Sequence, residues 1–234
     1  MMEMVTQEVI SGLIIRAVIE PLIYNKNQHK IMTGSRLLVL VLLLQAFVLS
    51  KTIKAQAQDV DIGSISELKG NAQVYRDKAY GAELAFPIQQ LDNVKTEAGR
   101  VAIRFEDDTV VRVMDHSKLV INSYIYDPNP KKSEMALRFA SGTARFVTGK
   151  FNNKKAIKIQ TPSADVFVRG TDFTITTTPE TGASLVILLP DQYGNSSGEI
   201  SVETAAGQVI LNQPYQATTT STFNSAPTKP VTLD

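Results

Sequence analysis

The sequence predicts an all-β fold: a single compact domain of antiparallel strands that coil or stack on one another. Apolar residues alternate with other residues in short runs over most of the chain after residue 58, as at Val101, Ile103 and Phe105. Turn signals recur between the runs, for example at residues 97–99 and 141–142. Short strands at this spacing, with no helical stripe between them, are typical of a two-sheet sandwich, a barrel or a short β-solenoid. No exact sequence repeat is present, which argues against a regular solenoid.

The strand assignments rest on period-two alternation, which places successive side chains on opposite faces of a sheet. Runs of this kind occur at residues 101–105, 111–113, 135–139, 144–147, 157–159, 166–168 and 173–176. The runs give one domain over residues 58–217. The tail from residue 218 to residue 234 is rich in Thr, Ser and Pro, so we expect it to be flexible.

The composition is that of an ordinary globular protein. The 234 residues include 43% hydrophobic residues, no Cys, and a formal net charge of +1. Without cysteine the chain has no disulfide, no thiol nucleophile and no thiolate metal ligand. A near-neutral chain also lacks the basic excess of most nucleic-acid-binding proteins, so we expect no nucleic-acid partner.

A secretory signal peptide is predicted at residues 32–57. Residues 32–36 form a short basic region, residues 37–50 are apolar, and Ala55-Gln56-Ala57 has the small-x-small pattern of a cleavage site. We expect a periplasmic or secreted bacterial protein, with residues 1–31 an over-extended gene start. The alternative is an uncleaved membrane anchor at residues 37–49, which is shorter than the roughly 20 residues of a spanning helix. Only that segment, if uncleaved, would contact the membrane.

Two strand-like runs flank one arginine–glycine–threonine step at the centre of residues 163–177. Val166 and Val168 alternate with their neighbours before the step, and Phe173 and Ile175 do so after it. A glycine inside such a pattern, here Gly170, indicates a bulge, a tight bend or a close backbone approach.

This segment resembles a known family. The run Val168-Arg169-Gly170-Thr171-Asp172-Phe173 is similar to the V-R-G-T-x-F signature of the FecR-like domain family. Residues 91–96 look like the family's G-D-x-V-x-T step, with Leu91 and Asn93 as departures. Residues 100–109 look like its next strand and turn, with Asp108 where glycine is usual. The resemblance covers roughly residues 63–211, because residues 117–121 and 137–142 match two further elements.

The resemblance implies a compact all-β domain of coiled, stacked strands. In the iron-citrate regulators of this family, the FecR-like region lies in the periplasm. There it relays a signal from an outer-membrane receptor to a cytoplasmic segment that binds a sigma factor. This chain departs from that plan, because it has no Trp and places only residues 1–35 before the apolar segment. It also ends soon after the FecR-like region.

Two functions are therefore favoured, and a third, a hydrolase, rests only on an acidic turn at residues 106–108. The first is an exported, non-catalytic binding module that contacts an envelope protein or a polysaccharide. The alternative is a FecR-type signal-transduction regulator, anchored in the inner membrane and acting in sigma-factor or iron-transport signalling.

Few residues suggest chemistry. Glu106-Asp107-Asp108 is the densest acidic cluster, and a calcium site or the paired carboxylates of a hydrolase would need such groups. Three consecutive carboxylates between two strands are more simply a solvated hairpin turn. His116, the only histidine after residue 57, is interpreted as a surface or turn residue. We predict no catalytic residue, no metal and no cofactor.

Two groups of residues are candidates for binding. Tyr124 and Tyr126 precede a Pro-rich stretch and could stack on a sugar or fill a partner's pocket; the alternative is a strand end with half-buried tyrosines. Lys150, Lys154 and Lys155 could bind an anionic glycan or the acidic edge of a partner, or could form a charged hairpin tip.

The signature step itself is interpreted as structural, because it contains no base and no activated nucleophile. We expect Gly170 to permit the bend with a positive φ, and Arg169 and Thr171 to satisfy backbone groups around it. The chain also has no nucleophile elbow, P-loop or dinucleotide fingerprint, so we predict that it is not an enzyme. In this interpretation Gly170→Val costs roughly 1–3 kcal/mol through backbone strain.

Overall fold

The computed structural model describes residues 60–127, 133–150 and 157–233. These residues form strands and turns without a helix, which confirms the all-β prediction. In the described ranges, accordingly, no helix is long and apolar enough to cross a membrane. The strands are β1 (Asp61–Tyr75), β2 (Ala79–Gly81), β3 (Pro87–Gln89), β4 (Asn93–Phe105), β5 (Val110–Val113), β6 (Lys118–Ile125), β7 (Glu134–Val147), β8 (Ile157–Gln160), β9 (Asp165–Arg169), β10 (Asp172–Thr177), β11 (Ser184–Leu188), β12 (Glu199–Thr204), β13 (Gly207–Leu211), β14 (Gln216–Thr220) and β15 (Val231–Thr232).

The first half of the domain is an antiparallel meander of long strands. β1 pairs with β4 along most of its length and with β2 and β3 on its other side. β5 and β6 follow one another between β4 and β7 and pair with both. Register shifts interrupt β1 and β6, and such bulges bend and twist a strand. The long strands can therefore curve around a core.

The sheet divides at β7 into two branches. Residues 142–147 of β7 pair with β10, and that branch continues through β11, β14 and β15. Residues 135–138 of β7 pair in parallel with β8, and that branch continues through β9, β12 and β13. The chain crosses from one branch to the other between β9 and β10, between β11 and β12, and between β13 and β14.

A single hydrophobic core includes side chains from both branches. Its members include Val166, Val168 and Val202 from one branch and Phe173 and Val186 from the other. Phe173 is fully buried and stacks on Phe146, with 5.0 Å between the ring centroids. The two branches therefore contribute their inward-facing residues to the same interior, as the alternation in the sequence predicts.

The end of the chain departs from the predicted flexible tail. Residues 218–220 belong to β14, and Thr218 and Thr220 are buried. The Thr220 hydroxyl lies 2.8 Å from the hydroxyl of Ser163, and the Thr218 hydroxyl donates to the Thr228 carbonyl at 2.7 Å. Because hydroxyl groups satisfy one another in the interior, a Thr-rich segment can be part of the domain.

Candidate functional site

The signature step lies at a crossing between the two branches. β9 ends at Arg169, β10 begins at Asp172, and Gly170 has a φ of 55°. The predicted bend with positive φ is thus present. A side chain built on Gly170 would meet no atom within 4 Å, so this glycine is needed for its backbone conformation and not for space.

A second glycine next to the step, Gly198, is needed for space and not for its backbone conformation. A Cβ atom on Gly198 would lie 2.2 Å from the Gly170 carbonyl oxygen and 2.4 Å from that of Arg169. Both neighbours are backbone atoms that cannot rotate away. The backbone before β12 therefore packs directly against the signature turn, and only glycine fits there.

The backbone of Thr171 is bonded by Thr148 and not by the signature's own side chains. The Thr171 N–H donates to the Thr148 hydroxyl at 2.7 Å, and that hydroxyl donates to the Thr171 carbonyl at 3.1 Å. The Thr171 hydroxyl oxygen is buried with no hydrogen-bond partner, and the Arg169 side chain is exposed. The expected role of Thr171 in satisfying backbone groups is therefore wrong, and Thr148 fills it; the role of Arg169 stays a prediction.

The acidic turn between β4 and β5 is only partly solvated. Asp107 is fully buried, which corrects the prediction for this residue. Its carboxylate accepts hydrogen bonds from the Thr109 N–H at 3.3 Å, from the Thr109 hydroxyl, and from the Tyr124 hydroxyl at 3.2 Å. Burial raises the pKa of Asp107, and the hydrogen bonds from Thr109 and Tyr124 partly oppose that effect.

Asp108, like Glu106, is an exposed member of the turn. It has a φ of 68°, the conformation for which the family pattern has glycine, and Asp tolerates it better than most residues. Its carboxylate lies 2.7 Å from the Lys150 ammonium. The hydrogen bond from Lys150 lowers the pKa of Asp108, and the same pair raises the pKa of Lys150.

Hydrogen bonds connect the acidic turn to the signature step. The Gly149 N–H donates to the Thr109 hydroxyl at 2.9 Å, and the Lys150 N–H donates to the Asp107 carbonyl at 2.8 Å. Gly149 also packs closely, because a Cβ there would lie 2.0 Å from the Asp107 carbonyl oxygen. Thr148, which precedes Gly149 in the chain, is hydrogen-bonded to the backbone of Thr171. The turns at residues 106–109, 148–150 and 169–171 thus form one bonded cluster, which we call the signature end.

Only part of the predicted binding surface is accessible in the described residues. Tyr124 is 4% exposed, stacks on Phe105 with 5.5 Å between centroids, and donates to Asp107. It belongs to the core and cannot stack on a ligand, which corrects that prediction. Burial and the neighbouring Asp107 charge raise its pKa. Tyr126 is 40% exposed and Lys150 is exposed, whereas Lys154 and Lys155 lie outside the described residues.

The remaining candidates have structural explanations. His116 is an exposed turn residue, as predicted, with a φ of 48° and an N–H that donates to the Glu97 carbonyl at 2.9 Å. Over residues 60–127, 133–150 and 157–233, no group of three or more His, Asp or Glu side chains is placed to hold a metal ion.

The sequence reasoning missed one buried ion pair. Asp92 is fully buried and accepts from the Arg76 Nε at 2.7 Å, from the Arg76 Nη2 at 2.8 Å, and from the Gln89 N–H at 2.8 Å. Arg76 lies 16 residues earlier, in a turn, and no local pattern links the two. The residue before Asp92 is Leu91, which has a φ of 68° where the family pattern has glycine.

Comparison with known proteins gives a family match. The model of the family described as FecR protein matches residues 92–210, just over half of the chain. Two crystal structures of candidate anti-sigma factors from Parabacteroides distasonis ATCC 8503 are similar, each with 16% identity and with TM-scores of 0.47 and 0.46. Each similarity covers 61% of this chain and 60% of the other. No functionally curated protein matches the chain.

Proposed function

Because this chain belongs to the FecR protein family, we propose that it has a FecR-type signalling role, in which the described domain binds a partner outside the cytoplasm. The family match over residues 92–210 carries the proposal. Extracytoplasmic placement is in keeping with this family and with the signal-peptide pattern at residues 32–57.

The domain acts in this proposal by binding and not by catalysis. The geometry of the signature end supports this, because its polar groups hold backbone in place: Thr148 bonds Thr171, and Asp107 bonds Thr109 and Tyr124. The Asp107 carboxylate and the Thr148 hydroxyl, two groups that a reaction could use, are engaged in the fold. The partner is a protein of the cell envelope, and it meets a preformed surface because these turns are bonded to one another.

Gene expression tests this proposal. A strain that lacks the chain is compared with strains that carry the native chain, the Gly198→Val variant or the His116→Ala variant, and transcripts are measured. Gly198→Val disrupts the packing against the signature turn, whereas His116→Ala changes an exposed residue and serves as the control. We expect a small set of transcripts to change in the deletion and Gly198→Val strains and to be normal in the other two. An unchanged transcript profile in the deletion strain would overturn the signalling role.

An exported binding module without a signalling role is the second candidate. The exposed Tyr126 and Lys150 favour it, because aromatic and cationic groups beside a turn suit a polysaccharide or an acidic protein edge. The N-terminal residue of the protein recovered from cells separates the two functions. Gln58 in a soluble extracytoplasmic fraction supports the exported module, and an intact chain in the membrane fraction supports the anchored regulator.

A further inference from the structure

Strand β13 is an edge of the sheet that differs from the others. The terminal strands of the described sheet are β2, β3, β13 and β15. β2 and β3 have three residues each and β15 has two, whereas β13 has five, Gly207–Leu211. Short edge strands are one of the ways in which proteins avoid pairing with other chains. β13, with five residues, lacks the protection of a short edge strand.

β13 also lacks the other common protections. Its sequence, Gly-Gln-Val-Ile-Leu, contains no charged residue and no proline, and its pairing with β12 has no register shift. Gln208 is exposed, Ile210 is 39% exposed, and Val209 packs against the rim of the core. Charge, proline and bulges are the devices that normally block an edge. β13 is therefore a regular, uncharged and accessible edge.

The ladder alternation shows which backbone groups face outward. Thr204 and Gly207 close the two-residue hairpin turn, and Val202 pairs with Val209 two positions on. In an antiparallel hairpin the closing pair and every second pair exchange hydrogen bonds across the ladder. The N–H and C=O groups of Gln208 and Ile210 consequently point away from β12. In the described part of the chain, β13 has no strand on that side.

We propose that β13 is a docking edge that binds an extended segment of a partner protein as an added antiparallel or parallel strand. The inference rests on the proposed partner-binding function and gives it a surface. Main-chain hydrogen bonds to Gln208 and Ile210 supply the affinity, and the side chains beside Val209 and Ile210 favour alternating apolar residues in the segment. β13 carries no charge of its own, and Glu203 on β12 lies beside it, 3.3 Å from the Gln208 Nε2 that donates to it, so a basic residue at that end of the segment suits this edge.

A second copy of the chain fits this edge less well. Five residues of strand are about 17 Å long, and a sheet is about 10 Å thick, so an edge-to-edge contact covers roughly 170 Å² on each copy. Stable dimers bury about 800 Å² on each partner. A partner segment can continue past the strand onto the neighbouring surface, whereas two copies joined only at β13 cannot reach that area.

Binding of a synthetic strand to the full chain tests the proposal. The probe is a nine-residue peptide that alternates Val and Thr, with Lys at both ends, and the control peptide carries Pro at the central position. Backbone amide exchange is followed at Gln208 and Ile210, and the dissociation constant is measured by fluorescence anisotropy. We expect the probe to slow exchange at both amides at least tenfold, and the Pro peptide to leave them unchanged.

Variants at the edge make the test specific. Ile210→Pro removes one outward N–H and leaves the bonds to β12 in place, so we expect binding to weaken at least tenfold with little change in Tm. Ile210→Lys blocks the edge by charge, and it replaces Ile210→Pro in the binding measurement if the proline variant does not fold. Val231→Lys, on the two-residue edge β15, is the matched control and should bind the probe like the native chain.

The outcomes separate the alternatives. Failure of the probe to bind, binding without protection of the two amides, or equal binding by the native chain and Ile210→Lys overturns the docking edge. Protection of the same amides in the protein alone, together with a dimer in sedimentation, overturns it in favour of a second copy. Unchanged transcripts in the deletion strain would overturn the signalling role and leave the peptide result untouched, so the two failures are distinguishable.

Discussion

Two glycines that meet at the signature turn should respond differently to the same substitution. Gly170→Ala places a Cβ in open space but at a φ of 55°, so its cost is the left-handed penalty of about 1–2 kcal/mol, reduced by the smaller entropy of the unfolded chain. We expect a net loss of about 1 kcal/mol. Gly198→Ala forces a Cβ against two backbone carbonyl oxygens at 2.2 and 2.4 Å, so the turn or β12 must move. We expect a loss of about 3 kcal/mol, the upper end of typical overpacking costs.

Urea unfolding of the two variants and the native chain measures these losses. His116→Ala is the control, because the residue is exposed in a turn and its loss should stay within about 0.5 kcal/mol. Equal losses at the two glycines, or a larger loss at Gly170, would refute the argument that space limits Gly198 and conformation limits Gly170. If Gly170→Ala keeps full stability but loses partner binding, the signature step is itself a functional site.

Four further substitutions test the departures from the family pattern and the buried carboxylates. Leu91→Gly should stabilise the chain by about 0.5–1 kcal/mol, because Leu91 is 72% exposed at a φ of 68°. Asp108→Gly should increase the stability less, since Asp tolerates this conformation, and thermal unfolding compares the two variants. Arg76→Ala should cost about 3 kcal/mol in urea unfolding, because it leaves the buried Asp92 charge unpaired; a loss below about 1 kcal/mol would contradict this. Asp107→Asn tests the raised pKa of Asp107. Protonation of Asp107 relieves the cost of burying its charge, so the native chain should gain stability relative to the variant as pH falls from 7 through the raised folded pKa to about 3. A difference in unfolding free energy that does not change with pH would refute this.

The alternation of apolar residues was sufficient to predict the strands on either side of the signature step. Val166, Val168, Phe173 and Ile175 are all buried, and the two strands that contain them end and begin at the signature step. This could be predicted because side-chain direction in a strand is a local property with a period of two residues. The positive φ of Gly170 could be predicted for the same reason, since a glycine between two strand runs reports local backbone geometry.

Side-chain burial at the turns could not be predicted in this way. Asp107 and Tyr124 are 17 residues apart, and each had a plausible solvent-exposed role until the fold brought the hydroxyl within 3.2 Å of the carboxylate. The bond between Thr148 and Thr171 likewise joins residues 23 positions apart, and Thr148 takes the role expected of the Thr171 side chain. Such pairs depend on which turns the fold brings together, and the local sequence around one residue does not identify its distant partner.

The sequence by itself determined the all-β class, the strands around the signature step and the family to which the chain belongs, because these follow from local periodicity and from a short motif. Only the tertiary structure decided that the signature step packs against Gly198, that Asp92 is held by Arg76, and that β13 is the longest terminal strand of the described sheet. The physical reason is that contact, burial and edge exposure arise from how strands distant in the chain pair, and period-two alternation fixes which face of a strand is buried but leaves its neighbours unspecified.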